Sequence, residues 1–586
     1  GTNNDYGSHL VFVTRPQAGA ASEKLRISDA GALGIGGANY GTAGQVIVSG
    51  GSGAAVAWAD AGGAPEIEGT VSGSISSGDA VIVKTDGNIE KVTETISTTS
   101  NPGNASNSSL VNQNDTNVTK MIWCKGTNRL IALYCLSNEQ IMIRIGVISS
   151  SGITWTPSGL QSHQGLDTYW GMTCSGLAKY DMAWDEDAER LLIVCGQKDY
   201  DYLEGRFYTV SDTAISATTS RFQIWTAQAS HNRIRENCVT VKKLGNRKFI
   251  AGWIASGNDL YGKMRVMELN SAGDSVTQGT LSELPTGTSP DERLVAINFG
   301  DPNAAGDIPV TFLKYNNNNG NKLYARACTI SGTTISYGSE VLLSGSASAR
   351  QVYAETSNYT VWPSVSFDED NDVYLVNYRE RYGTNDNRFF CRAFKCTGTT
   401  LATIGSEKQL TSNTPQNLNV GVYDPIYNKH IVWVTDNYGY LKYFVVTTTT
   451  TGTPTSTSET QTSTNVAETY TFPFVGATSF DSEYNRHIVL GTVGTGGGQM
   501  YRWIFGPFAT ASTNMTAENF IGFSDAAYTN GQTGKVLTVG NQTTKSGLTP
   551  GKKYYVQKNG SVKTSTDTPS VQAGTSILST KLLINF

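Results

Sequence analysis

The side chains whose types could do chemistry in this chain are, first of all, clustered carboxylates. Asp185-Glu186-Asp187 and Asp368-Glu369-Asp370 each set three acids in a row. Two carboxylates facing one sugar ring would make a glycosidase, about 5 Å apart for retention or up to roughly 9.5 Å for inversion. Several carboxylate oxygens together would also suit Ca²⁺, but neither cluster has EF-hand spacing. Equivalent acids recur in most copies of the repeat described below, and that recurrence marks them as turn chemistry. Ser-x-Asp-x-Gly-x-x-Trp boxes and Gly-x-Ser-x-Gly are missing, and His163, His231, His430 and His487 suggest no triad. His430 and His487 hold equivalent repeat positions and read as structural. The expectation is a non-enzyme with no catalytic residue, no metal and no cofactor.

A second set pairs tyrosine with Asn and Asp. Asp199, Tyr200, Asp201 and Tyr202 form one group; Asp259 with Tyr261, Tyr382 with Asn385 and Asp386, and Asp436 with Asn437 and Tyr438 form three more. Tyrosine rings stack on sugar faces while Asn and Asp bond hydroxyls, and exposed loops on a rigid frame commonly carry binding. These residues are the candidate receptor-binding set. Ordinary turn chemistry is the competing reading.

The elements that must position them form a repeat. An aromatic or apolar strand meets a turn of Asp, Asn and Glu, whose side chains can satisfy turn amides, and a β-branched strand follows. Phe367 to Val376, Tyr423 to Val432, Phe480 to Val489 and Trp184 to Ile193 are the clearest copies. With Asn128, Glu189, Asn246, Asp307, Asn371, Asn428 and Asn485 as anchors, successive spacings are 61, 57, 61, 64, 57 and 57. A second loop, a third strand and a fourth complete each unit; in the fifth unit the fourth strand is expected at Ser406 to Leu410. Seven four-stranded units with Gly-rich joints predict a seven-bladed β-propeller, a ring that hides sheet edges. The Tyr/Asn/Asp groups then share the face opposite the Asp-rich turns. Both propeller ends emerge on that same face, so the opposite face is the rival contact surface.

The repeat occupies 101–515. Around it, 63–100 and 516–586 carry strand patterns too few to bury a face alone, so together they are expected to make one small β-sandwich or barrel into which the propeller is inserted. Residues 1–62 are Gly-rich and poor in large apolar side chains, and association of several copies would make up that deficit. Ser97 to Asn117 and Thr447 to Thr464, rich in Ser, Thr and Asn, read as connector and surface loop. Gly1 to His9 are polar with no initiator Met, which suggests a processed or partial chain.

Composition agrees with an all-β chain. The 586 residues include 62 Gly, and only 16% are charged, with 44 Lys+Arg against 49 Asp+Glu. No basic stripe is present to neutralise phosphates, which argues against nucleic acid, and no run of 18 apolar residues argues for membrane insertion. Eight cysteines, Cys124, Cys135, Cys174, Cys195, Cys238, Cys328, Cys391 and Cys396, form no CxxC pair, and several sit in apolar strands. They read as reduced core thiols.

Two stretches carry a family likeness. Leu25-Arg26-Ile27-Ser28-Asp29-Ala30-Gly31 to Gly34-Ile35-Gly36, with Gly44-Gln45-Val46-Ile47-Val48-Ser49-Gly50-Gly51, resembles the shaft of tail fibres from marine phages, cyanophages in particular. Gly547-Leu548-Thr549-Pro550-Gly551-Lys552-Lys553-Tyr554-Tyr555-Val556, with Ser576 to Ile584, resembles the closing β domain of the same virion proteins. The two cover about a quarter of the chain. The resemblance implies a homotrimeric tail fibre, made in the host cytoplasm and assembled into the virion with other tail proteins. Its host receptor would be a glycan or a protein, with the glycan preferred. A polysaccharide depolymerase on the same scaffold, or a purely structural spacer, is the alternative.

Overall fold

The computed structural model describes the chain except for residues 1–8, 53, 61–65, 100–103, 136–140, 157–163, 166–179, 197–201, 227–233, 235–237, 256–261, 285–291, 317–319, 346–349, 353–362, 383–385, 412–415, 437–439, 458–459, 466–472 and 494–497. It divides into two units, one spanning Ile96–Thr510 and the other Gly1–Thr95 together with Ala511–Phe586.

Within Ile96–Thr510 every described element is a strand, and the strands form seven antiparallel blades. The second blade shows the pattern. Tyr180–Asp185 is innermost, Arg190–Gly196 and Tyr202–Val210 follow, and the outer position is split between Ile215–Ala217 and Phe222–Thr226. Each first hairpin turns through a residue with positive φ. Asn128, Glu189, Asn246, Asp372, Asn428 and Asn485 have φ between 47° and 59°, and Gly306 takes the place in the fourth blade at 84°. Asn and Asp tolerate this left-handed conformation better than other side-chain-bearing residues, which explains the recurring anchor type.

Closure comes from the strand Asn104–Cys124, which belongs to two blades. Its first half pairs with Gly498–Phe505, from Asn104↔Phe505 to Thr116↔Gly498, and forms the outer strand of the seventh blade. Its second half pairs with Arg129–Cys135 and is the innermost strand of the first. The connector expected over Ser97 to Asn117 is therefore a strand in large part, and Thr455–Ser456 and Thr460–Asn465 are strands where a surface loop was expected. An outer strand needs only backbone pairing, so polar composition does not exclude one. The fifth blade's outer strand runs Thr400–Gln409, starting earlier than expected because Gly398, at φ 58°, turns the chain tightly enough to pair Thr397 with Thr400.

Each pair of neighbouring blades shares its own apolar cluster. Leu191 and Ile193 meet Ile131 and Leu133 between the first two blades; Val432 and Val434 meet Leu375 and Cys391 between the fifth and sixth. The cluster joining Leu130, Ala132 and Tyr134 to Ile488, Leu490 and Ile504 closes the ring between the first and the seventh. Cys124, Cys195, Cys238, Cys328, Cys391 and Cys396 are free and buried in these layers. Burial pushes the Cys391 and Cys328 thiols up to about 12, so they act as apolar filler and not as nucleophiles.

The second unit holds two five-stranded sheets. One runs Glu66–Thr70, Thr533–Leu537, Phe520–Ser524, Ala80–Val83, Ile89–Lys91, so two strands from after the propeller lie between strands from before it. The other is built from Gln542–Thr544, Lys581–Ile584, Val571–Leu578, Lys553–Val556 and Val562–Lys563. Ile82 and Phe523 of the first sheet share one core with Tyr554, Val571 and Leu582 of the second. The propeller is thus inserted between two parts of a β-sandwich. Nearer the N-terminus, Leu10–Thr14, Ser22–Ile27 and Leu33–Ile35 form a three-stranded sheet, and Gln45–Val48 pairs with Ala57–Asp60.

Candidate functional site: the central channel of the propeller

The acidic turns prove to be scaffolding. Asp185 Oδ1 accepts the amides of Asp187 at 3.0 Å and Ala188 at 3.3 Å. Asp424 Oδ1 accepts those of Ile426 and Tyr427 at 3.0 and 2.9 Å, and Asp481 Oδ1 those of Glu483 and Tyr484 at 3.0 and 3.2 Å. All three carboxylates are fully buried. Several of the turn acids also tie one blade to the next. Asp424 Oδ2 lies 2.9 Å from His487 Nε2 of the seventh blade, Asp185 lies 3.3 Å from Lys243 Nζ of the third, and Asp307 Oδ2 accepts the Gly398 amide of the fifth at 2.8 Å. In Asp368, burial pushes the carboxyl upward, but hydrogen bonds from Asn371 and Thr448 outweigh it and hold the group below its usual range.

His430 sits in the same layer. Its Nδ1 is 2.8 Å from Ser366 Oγ and its Nε2 3.3 Å from Thr448 Oγ1, which in turn donates to Asp368 Oδ2 at 2.9 Å. The sequence of groups resembles an acyl-transfer triad, yet His430 is wholly buried and Ser366 only 4% exposed, so no substrate reaches them. Burial drives the His430 imidazole down to about 4, against the pull of the Asp368 charge. Both histidines are inter-blade staples.

Of the receptor-binding set, Asp199, Tyr200, Asp201, Asp259, Tyr261, Asn385, Asn437 and Tyr438 lie outside the described residues. Tyr202 opens the third strand of the second blade, half-buried and paired with Thr226. Tyr382 and Asp386 face each other across a hairpin of the fifth blade, and Asp436 pairs with Gln416 in the sixth. The backbone puts these positions at strand ends opposite the acidic turns, in separate blades; only Tyr382 and Asp386 are brought together.

A cavity lined by described residues of all seven blades lies on the ring axis. It measures about 760 Å³ and is walled by the innermost strand of every blade, a volume within the range of small-molecule pockets, about 300–1,000 Å³. Innermost strands have one unpaired edge, and here side chains of one blade serve the edge of the next. Asp181 Oδ2 accepts the Val241 amide at 2.8 Å, Ser364 Oγ accepts the Gly421 amide at 3.0 Å, Thr240 donates to Asn298 Oδ1 at 3.2 Å, and Asn298 Nδ2 donates to Pro363 O at 3.1 Å. Charges complete the belt. Lys120 Nζ stands 3.6 Å from Asp181, Lys242 Nζ 2.7 Å from Asp301, and Lys243 Nζ 2.7 Å from Glu186. Burial lowers the Lys242 ammonium, but the charge and hydrogen bond of Asp301, with the charge of Asp181, more than offset it, and the group stays above the ordinary lysine value.

Sequence reasoning passed over this wall because it treated the first strands as apolar. The available signal was their polar residues in repeat register: Lys120 to Asp181 is 61 residues, Asp181 to Val241 is 60, Thr240 to Asn298 is 58 and Ser364 to Gly421 is 57.

No protein family and no curated protein matches the sequence. Among solved structures, the chain is similar to an α-L-arabinanase from Penicillium chrysogenum complexed with arabinobiose, at 11% identity over 69% of this chain and 98% of that one, with a TM-score of 0.36. A periplasmic gluconolactonase from Pseudomonas aeruginosa gives 9%, 68%, 98% and 0.38, and the Dos1 propeller 10%, 69%, 94% and 0.34. Likeness at that level carries no argument about ligand or activity. The class of protein, a seven-bladed β-propeller inserted in a β-sandwich, follows from the strand order and the shared cores between blades.

Proposed function

We propose that the chain is a non-enzymatic adhesion protein, a subunit of a trimeric viral tail fibre whose propeller engages a surface glycan of the host cell. The observation that carries this reading is the apolar N-terminal strand Leu10–Thr14, of which every residue is exposed, with Leu10 at 58%, Phe12 at 49% and Val13 at 54%. Val46, Ile47 and Val48 repeat the pattern on the hairpin that follows. Contiguous exposed apolar surface marks an association site, and several copies of the chain would cover it. The propeller supplies the other half, a rigid ring carrying loops on its faces and a polar channel on its axis. Within the channel Asp181 and Asp301 are each already engaged with a lysine, which favours binding over hydrolysis.

The test combines a glycan array probed with the purified chain, a reducing-end assay on the glycans bound, and sedimentation equilibrium. The reading expects retention of a glycan class, no new reducing ends and the mass of three chains. Turnover would move the protein to the depolymerases. A single-chain mass at micromolar concentration would remove the fibre.

A further inference from the structure

The channel charges do not cancel evenly around the ring. Lys242 is matched by Asp301, and Lys243 by Asp185, Glu186 and Asp187. The first blade is different. Lys125 lines the cavity with no ion pair among the described residues. Lys120 reaches only Asp181 Oδ1, at 3.6 Å, too far for a hydrogen bond. The other oxygen of that carboxylate is taken by the Val241 amide. The Lys120 side chain lines the cavity and is about a third exposed, and its ammonium has three donors and no hydrogen-bond acceptor among the described residues. Across the ring, Ser364 uses a lone pair on Gly421 and keeps its hydroxyl proton to give, and the half-exposed Asp301 keeps acceptor capacity. Trp184 and Phe480 contribute aromatic surface to the same wall. An oxyanion donor and hydroxyl partners line one space of about 760 Å³.

We propose that the central channel binds an acidic saccharide of one or two sugar units, its carboxylate or sulfate held by Lys120 and its hydroxyls by Ser364 and Asp301. This rests on the glycan-binding reading and names the ligand class and its place. Net charge argues for the assignment: the chain as a whole is at −5, yet among the residues that line the channel Lys120, Lys125, Lys242 and Lys243 outnumber Asp181, Glu186 and Asp301.

The test is calorimetric titration of the full chain with digalacturonate, galactose 6-sulfate, neutral digalactose and inorganic sulfate. At least one acidic sugar should bind, the first two probes telling carboxylate from sulfate. Lys120→Met should weaken that binding roughly tenfold or more, as loss of a hydrogen bond to a charged group does. Lys120→Arg should largely keep it, with the thermal midpoint of both variants near that of the parent. Equal affinity for digalactose, undiminished binding by Lys120→Met, or sulfate binding as tightly as the sugar overturns the proposal. So does retention of only neutral glycans on the array, an outcome that leaves the adhesion reading standing; retention of none overturns both.

Discussion

The pairing of Asp424 with His487 shows how a single residue serves turn and ring at once. One carboxylate oxygen organises the hairpin amides and the other holds an imidazole of the next blade, with both side chains at zero exposure. Asp424→Ala strips both roles and leaves buried donors unmet, so a loss of about 2–4 kcal/mol is expected in urea unfolding. Glu369→Ala, on an exposed turn position of the neighbouring blade, should stay within about 0.5 kcal/mol. His430 adds a pH dependence of known sign. Its folded value of about 4 lies below the ordinary 6.5, so between those limits the unfolded chain binds the extra proton, and stability falls as pH drops from about 6.5 towards 4. The full effect is up to about 3 kcal/mol. Asp368, held below its ordinary 3.8, contributes stability that is lost only at lower pH. Urea midpoints at pH 7, 5.5 and 4.5 should show the decline, and His430→Gln should flatten it. A slope unchanged in that variant would assign the effect elsewhere.

Among the elements, the strand Asn104–Cys124 matters most to the ring, since its first half completes the seventh blade and its second half begins the first. Neighbouring residues of an antiparallel strand alternate in direction, so prolines at both Asn107 and Ser108, opposite Trp503 and Arg502, must remove at least one ladder hydrogen bond. A loss of about 3 kcal/mol or more is expected, together with faster proteolysis of the closing strand. A thermal midpoint equal to the parent's would show that the ring closes without it. The same element explains a misreading. Asn, Ser and Thr there look like a linker because nothing in their own pattern records the partner strand nearly 400 residues away. The hairpins were legible for the opposite reason: Asn128, Asn246, Asn428 and Asn485 take positive φ, a conformation that Asn tolerates and a tight turn needs locally.

For the whole molecule, the exposed apolar strands at the N-terminus and the closed ring make separable predictions. Phe12→Asp with Val46→Asp should reduce the sedimenting mass to that of one chain, because a charge on a buried apolar interface leaves it unpaired. The thermal transition of the propeller should not move, since its clusters are built from Ile96–Thr510 alone. A variant that keeps the parent's assembly state would exclude these strands as the interface.

Local chemistry and period were enough to derive the seven-bladed ring from the sequence: Asp and Asn at turn positions, β-branched strands after them, and spacings near sixty residues. Of the Tyr/Asn/Asp positions, Tyr202, Tyr382, Asp386 and Asp436 lie at strand ends among the described residues. The channel was decided by tertiary structure alone. Lys120, Asp181, Lys242 and Asp301 come from four different blades, and their convergence depends on the angle at which each blade packs on the next, a property of side-chain interlocking between strands far apart in sequence. No pattern within a single repeat encodes that angle, so the polar residues of the first strands come to line one channel only when the ring closes.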